Sequence, residues 1–180
     1  MEPINQSREV EEVYSVWALP SELARGRLCR LMAGLRAAHG GPTFEPHVTV
    51  VGAIRLRWSV AVEALHHAAA ADVRPYTANI VSDRQGFYHC GGLLLELTPE
   101  VMTASDHCCG HFSYERPISY VSHVSLIYGD RTEEQDGTAM EKIEELDKDI
   151  RELQFEILDI VLYRTDPEDV ESWELVELST

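Results

Sequence analysis

The chain has 180 residues, 44% of them apolar, which is enough for one sizeable core. Fifteen basic residues against 31 acidic ones give a formal net charge of -16, a balance that argues against long RNA or DNA as a partner but leaves room for a small phosphorylated ligand held by a few local donors. Four cysteines are too few for a secreted disulfide scaffold, and no apolar stretch approaches the length that spans a bilayer. The expectation is a soluble, cytoplasmic monomer with no membrane contact.

The opening MEPINQSREVEEV is polar and acidic with no apolar leader, and residues 1–12 read as a flexible tail. VYSVWAL, 13–19, reads as the first strand. Ser21 then caps a helix whose Leu28, Leu31, Met32 and Leu35 fall at helical spacing, ending at Gly40 and Gly41. FEPHVTVVGAI, 44–54, is the second strand, and an alanine-rich helix from Ser59, with Val62 and Leu65, closes before Pro75. Residues 76–82 and 86–90 read as two more strands.

The second half opens with the strand GLLLEL, 92–97, after which Thr98, Pro99 and Glu100 have the chemistry of a helix start. YVSHVSLIY, 120–128, is the next strand. Thr132 and Gln135 form a capping box before a helix with Ala139, Met140, Ile143, Leu146 and Ile150 on its inner side. Residues 153–164 and 172–178 are strands joined by the turn-like TDPEDVE.

Both halves thus run strand, helix, histidine-bearing strand, helix, strand, strand. The predicted fold is α+β: two pseudo-symmetric lobes, each a mainly antiparallel sheet backed by helices, facing across a central groove. Residues 13–180 form one bilobal catalytic domain, with lobe one about 13–90, lobe two about 91–180, and terminal strands able to exchange between them.

The histidine strands share a pattern. PHVTVVG, 46–52, and SHVSLIYG, 122–129, each place a His, an apolar residue, a hydroxyl residue and another apolar residue in succession. Side chains alternate across a strand, so His47 and Thr49 emerge on one face while Val48 and Val50 enter the core; His123 and Ser125 do the same. A single such tetrad is ordinary strand chemistry with a half-buried imidazole. Two at equivalent positions are a constellation.

Two imidazoles flanking a phosphate suit proton transfer at phosphorus, because one can accept a proton from water while the other donates to the leaving alkoxide. The Thr and Ser hydroxyls donate to non-bridging oxygens. Such a set calls for no cofactor and no metal.

The paired tetrads resemble the two-histidine phosphoesterase superfamily. The opening YSVWALP, the FEPHVTVVGA strand, the TPEVM helix start and the SHVSLIYGD strand resemble its plant-type cyclic phosphodiesterases, over nearly the whole chain from Tyr14 to Glu177. The resemblance implies hydrolysis of ADP-ribose 1'',2''-cyclic phosphate and nucleoside 2',3'-cyclic phosphates in turnover of a tRNA-splicing by-product, with His47 and His123 catalytic and Thr49 and Ser125 binding substrate. The second motif carries Ser where many members carry Thr, which keeps the donor. A 2'-5' RNA ligase or 2',5'-phosphodiesterase of the same architecture is the alternative, and a non-catalytic nucleotide-binding module is the third reading.

Tyr128 matches a family position near the nucleoside, although strict alternation puts it on the face opposite His123 unless the strand bends or ends there. Trp17 and Phe87 are weaker candidates for a stacking wall, and Tyr14 weaker again. Residues 106–120, DHCCGHFSYERPISY, read partly as the end of a helix and partly as a loop able to arch over the groove, with Cys108 or Cys109 making its closure redox-sensitive. HCCGH is a poor zinc site, because neighbouring cysteines do not readily share one tetrahedral ion. His107, His111, His66 and His67 read as exposed polar residues.

Overall fold

The computed structural model describes residues 10–70, 75–81, 87–88, 92–117, 122–129 and 132–179. Strand β1 (Glu11–Pro20) is buried on both faces from Tyr14 to Ala18. The reason is its place in the sheet: β2 (Val48–Arg57) lies on one side and β7 (Gln154–Arg164) on the other, both antiparallel. Beyond β7 come β3 (Tyr76–Asn79) and, on the same edge, β8 (Glu174–Leu178). On the other side β2 meets β6 (His123–Ser125), then β5 (Gly92–Leu94) and β4 (Phe87–Tyr88). Every one of these strand pairings is antiparallel.

The two halves of the sequence interleave in this sheet. β7 and β8 sit with β1 and β2, leaving β4, β5 and β6 as the other wing, so the strands do not divide at residue 90. Among the described residues, the wings' strands join through one residue pair, Val48 with Val124.

Helix α1 (Glu22–His39) buries Ala24, Leu28, Leu31, Met32 and Leu35, the stripe its spacing predicts. Ser21 occupies the N-cap position, but its hydroxyl makes no cap bond; its backbone N–H donates to Glu156 O of β7 at 3.0 Å. At the other end Gly40 takes a φ of 76° and donates to Arg36 O, a left-handed ending that glycine adopts without strain. Helix α2 (Trp58–Ala70) continues directly from β2 and buries Ala61, Leu65 and Ala68.

Helix α3 (Pro99–His111) has the predicted start, with Thr98 Oγ1 accepting from Val101 N–H at 3.3 Å. It runs further than its sequence suggests. Val101, Ser105, Cys108 and Cys109 form its buried face, and Ser105 Oγ donates to Val50 O of β2 at 3.3 Å. Cys108 and Cys109 are therefore core residues under α3, not groups on a groove lid; the part of that connection at 118–120 lies outside the described residues. His107 is half-buried, its Nε2 2.9 Å from Ala68 O, while His111, His66 and His67 are exposed.

Helix α4 (Glu133–Leu146) opens with the complete Thr132–Gln135 capping box. Ala139 and Ile143 are buried, and Ile150 follows in a 3-10 turn, Ile150–Glu152. Leu146 is 43% exposed yet packs against Gly34 of α1, where an added Cβ would lie 2.6 Å from it. Arg27 clasps Asp147 with two hydrogen bonds of 2.6 and 2.8 Å, so α1 and the end of α4 are tied by both packing and charge. Among the described residues no helix is long and apolar enough to cross a membrane.

Candidate active site

The Val48–Val124 pair sets the register of the two tetrads. Extending an antiparallel pairing by one residue each way puts His47 opposite Ser125 and Thr49 opposite His123, all on the face away from the two valines. Each imidazole thus stands across from the hydroxyl of the other motif. The site is built at the seam between the wings.

His47 is held before β2 begins. Its Nδ1 lies 2.7 Å from Glu45 O, so Nδ1–H donates to that carbonyl and Nε2 is left to face a reactant. The ring stacks on Trp17, with centroids 3.5 Å apart and planes within 6°. Trp17 stacks in turn on Tyr163 at 3.9 Å. Trp17 belongs to this face because β1 slips register twice against β2, between Tyr14 and Val16 and again between Val16 and Trp17, which brings Trp17 opposite Thr49.

The enclosure is nearly complete: His47 is 2% exposed. Burial, and secondarily the neighbouring His123, lower its pKa to about 3, with the hydrogen bond to Glu45 opposing the shift. The neutral imidazole is the resident form at neutral pH. His123 is half-buried and lies between β2 and β5, where Gly92 faces Ser125. A Cβ on Gly92 would sit 2.8 Å from Val124 O and 3.1 Å from His123 Cδ2, so the absence of a side chain there lets the strand and the imidazole approach.

Thr49 is half-buried and Ser125 is 4% exposed. Tyr128 reaches this region because β6 is shorter than its apolar pattern, ending at Ser125. Its ring packs on Phe44 at 4.5 Å and Trp173 at 5.4 Å, and both of those rings stand edge-on to His47 at 6.2 and 6.3 Å. Phe87 of β4 pairs through its backbone with Leu93 of β5; its side chain lies outside the described residues. Tyr14 is fully buried and its hydroxyl donates to Glu12 at 3.2 Å, in the core of β1. Among the described residues no group of three or more His, Cys, Asp and Glu could hold a metal ion.

A cyclic phosphodiesterase of Arabidopsis thaliana is 41% identical over 170 residues, covering 92% of this chain and 93% of its own. The chain belongs to the cyclic phosphodiesterase family. A cyclic phosphodiesterase of Triticum aestivum is 37% identical over 99 residues, covering 55% of this chain and 98% of its own. No family model matches the sequence. Among solved structures, E. coli LigT complexed with ATP superposes with a TM-score of 0.53 at 10% identity, covering 94% of this chain and 96% of its own. LigT complexed with 3'-AMP gives 0.52 at 11% identity, covering 93% and 96%. These distant structures share the fold of this cyclic phosphodiesterase.

Sequence pattern did not point to Trp173, Phe44 or Tyr163 of the phosphodiesterase. Phe44 precedes the histidine at the head of the second strand, where an aromatic residue reads as ordinary core. Trp173 follows the turn segment and the 3-10 turn Val170–Ser172, and no local signal marks it.

Proposed function

We propose that the enzyme hydrolyses ADP-ribose 1'',2''-cyclic phosphate to ADP-ribose 1''-phosphate and nucleoside 2',3'-cyclic phosphates to nucleoside 2'-phosphates, by metal-independent acid and base catalysis. The observation that carries this reading is the antiparallel pairing of Val48 with Val124, whose register sets His47 across from Ser125 and Thr49 across from His123. The neutral His47, with Nδ1–H committed to Glu45 O, takes a proton from water at Nε2. The water oxygen bonds to phosphorus in line, the opposite ring P–O bond breaks, and His123 protonates the departing ribose oxygen. Thr49 and Ser125 donate to the non-bridging oxygens, and solvent restores the two imidazoles.

Trp17 acts by fixing the plane of His47, and Tyr128 offers an aromatic face to the nucleoside. The acidic chain favours a small substrate over an extended polyanion. We place the reaction in the cytoplasm, on a monomer, in the removal of a cyclic by-product of tRNA splicing. The test is product analysis with adenosine 2',3'-cyclic phosphate and ADP-ribose 1'',2''-cyclic phosphate, with and without EDTA. Robust cleavage of 2',5'-linked oligonucleotides with no action on either small substrate overturns the reading in favour of a 2',5'-phosphodiesterase.

A further inference from the structure

A cavity of about 320 Å³ opens beside the stack that holds His47. Its size is at the lower end of the range for small-molecule sites. Trp17, Phe44, Tyr163 and Trp173 wall it, with Arg36 and Glu45 among the polar groups. Neither catalytic histidine lines it, and neither does Thr49, Ser125 or Tyr128. It nevertheless shares walls with the active site: Trp17 stacks on His47, Phe44 packs on Tyr128, and the Glu45 carbonyl accepts from His47.

The charges in this cavity are unequal in availability. The Glu45 carboxylate is already bound by Arg25 through two hydrogen bonds of 2.9 and 2.8 Å. The Arg36 guanidinium has no hydrogen-bond or ion-pair partner among the described residues, in a chain carrying 31 acidic groups. An uncommitted guanidinium beside four aromatic rings suits a planar ring that carries an anion: the ring stacks, and a phosphate takes the fork of donors.

We propose that this cavity is a second nucleotide subsite, receiving the nucleobase and phosphate at the far end of a substrate whose other end is the cyclic phosphate. The assignment rests on the cyclic phosphate reading above and extends it, because it makes ADP-ribose cyclic phosphate, which carries an adenosine diphosphate beyond the ribose of its cyclic phosphate, preferred over a nucleoside cyclic phosphate. A free mononucleotide has the same chemistry, and the experiment separates the two sources.

Arg36→Ala and Cys29→Phe, the second narrowing the cavity from α1, are compared with the unmodified enzyme after circular dichroism confirms folding; Arg36→Gln replaces the first if it does not fold. AMP binding is followed by calorimetry and by quenching of tryptophan fluorescence, since two of the three tryptophans line the cavity. Values of kcat/KM are measured for both cyclic substrates. The expected result is about tenfold weaker AMP binding in the Arg36 variant, and a fall in kcat/KM about tenfold larger for ADP-ribose cyclic phosphate than for adenosine 2',3'-cyclic phosphate. If AMP binding weakens but the substrate ratio holds, the cavity takes a free nucleotide and the distal subsite is overturned. If neither moves, the site itself is overturned. Absence of turnover of any cyclic phosphate by the unmodified enzyme defeats the catalytic reading, and unchanged AMP binding in both variants still defeats the cavity.

Discussion

His47 and Trp17 lie ring on ring, 3.5 Å apart and nearly parallel, so the imidazole we propose as the base is positioned by an aromatic neighbour as well as by its backbone hydrogen bond. Trp17→Leu removes one face of that enclosure. The expected outcome is a rise in the His47 titration midpoint from about 3 toward the ordinary imidazole value, read by NMR. Hydrolysis should fall on the order of a hundredfold, because the imidazole loses its fixed plane. A fall in stability with an unmoved His47 midpoint would make Trp17 a packing residue only.

His47→Ala and His123→Ala each remove one of the two proposed proton-transfer groups. Each should lower kcat for a nucleoside 2',3'-cyclic phosphate by roughly 10²–10⁴-fold, and the double variant by much less than the product of the two. Full activity in either single variant removes that histidine from the mechanism.

Folding stability should depend on pH through His47. Its pKa is depressed in the folded state, so the unfolded chain binds the proton more tightly. Stability is full above the unfolded imidazole value near 6.5 and declines as pH falls from there toward about 3. The slope from this group approaches at most about 1.4 kcal/mol per pH unit. Denaturant titrations of His47→Gln across that window should show a shallower decline than the unmodified protein; parallel curves would refute the assignment.

Gly92→Ala places a Cβ against Val124 O and His123. The expected cost is about 1–3 kcal/mol from crowding. Displacement of His123 should reduce kcat more than KM changes, which steady-state kinetics can separate.

Cys108 and Cys109 should be slow to react with thiol reagents in the native protein. Both are buried, and burial pushes the Cys108 thiol up to about 12 and raises Cys109 as well. Activity should be identical in oxidising and reducing buffer. Rapid native-state labelling of either cysteine would show that α3 opens.

The tetrads were legible because a strand has a period of two: HVT and HVS advertise which side chains share a face without knowledge of what the strands pair with. Their mutual placement was not legible, since one pair, Val48 with Val124, decides it. Trp17 was a weak candidate for the same reason, as the two register slips that carry it opposite Thr49 leave no mark in the apolar run of β1. Ser105, Cys108, Cys109 and Phe112 did carry a signal. Their helical spacing continues the buried face of α3 through HCCGH, although the two adjacent thiols also suit a redox-sensitive loop. The strand expected over 120–128 is His123–Ser125 in the structure: buried Leu126 and Ile127 imitate a strand, although among the described residues no strand pairs with them.

The position of β7 between β1 and β3 bears on how the chain acquires its structure. Tyr14 to Pro20 are flanked by a segment synthesised only after α4 is complete. During translation the N-terminal wing is therefore a half-finished sheet with one long unsatisfied edge, the condition under which nascent chains associate wrongly or recruit chaperones. The many contacts between distant segments also make folding slow for a chain of this length. Shortening the chain before Gln154 would thus leave β1 without one neighbour, and with it the strand on which His47 leans.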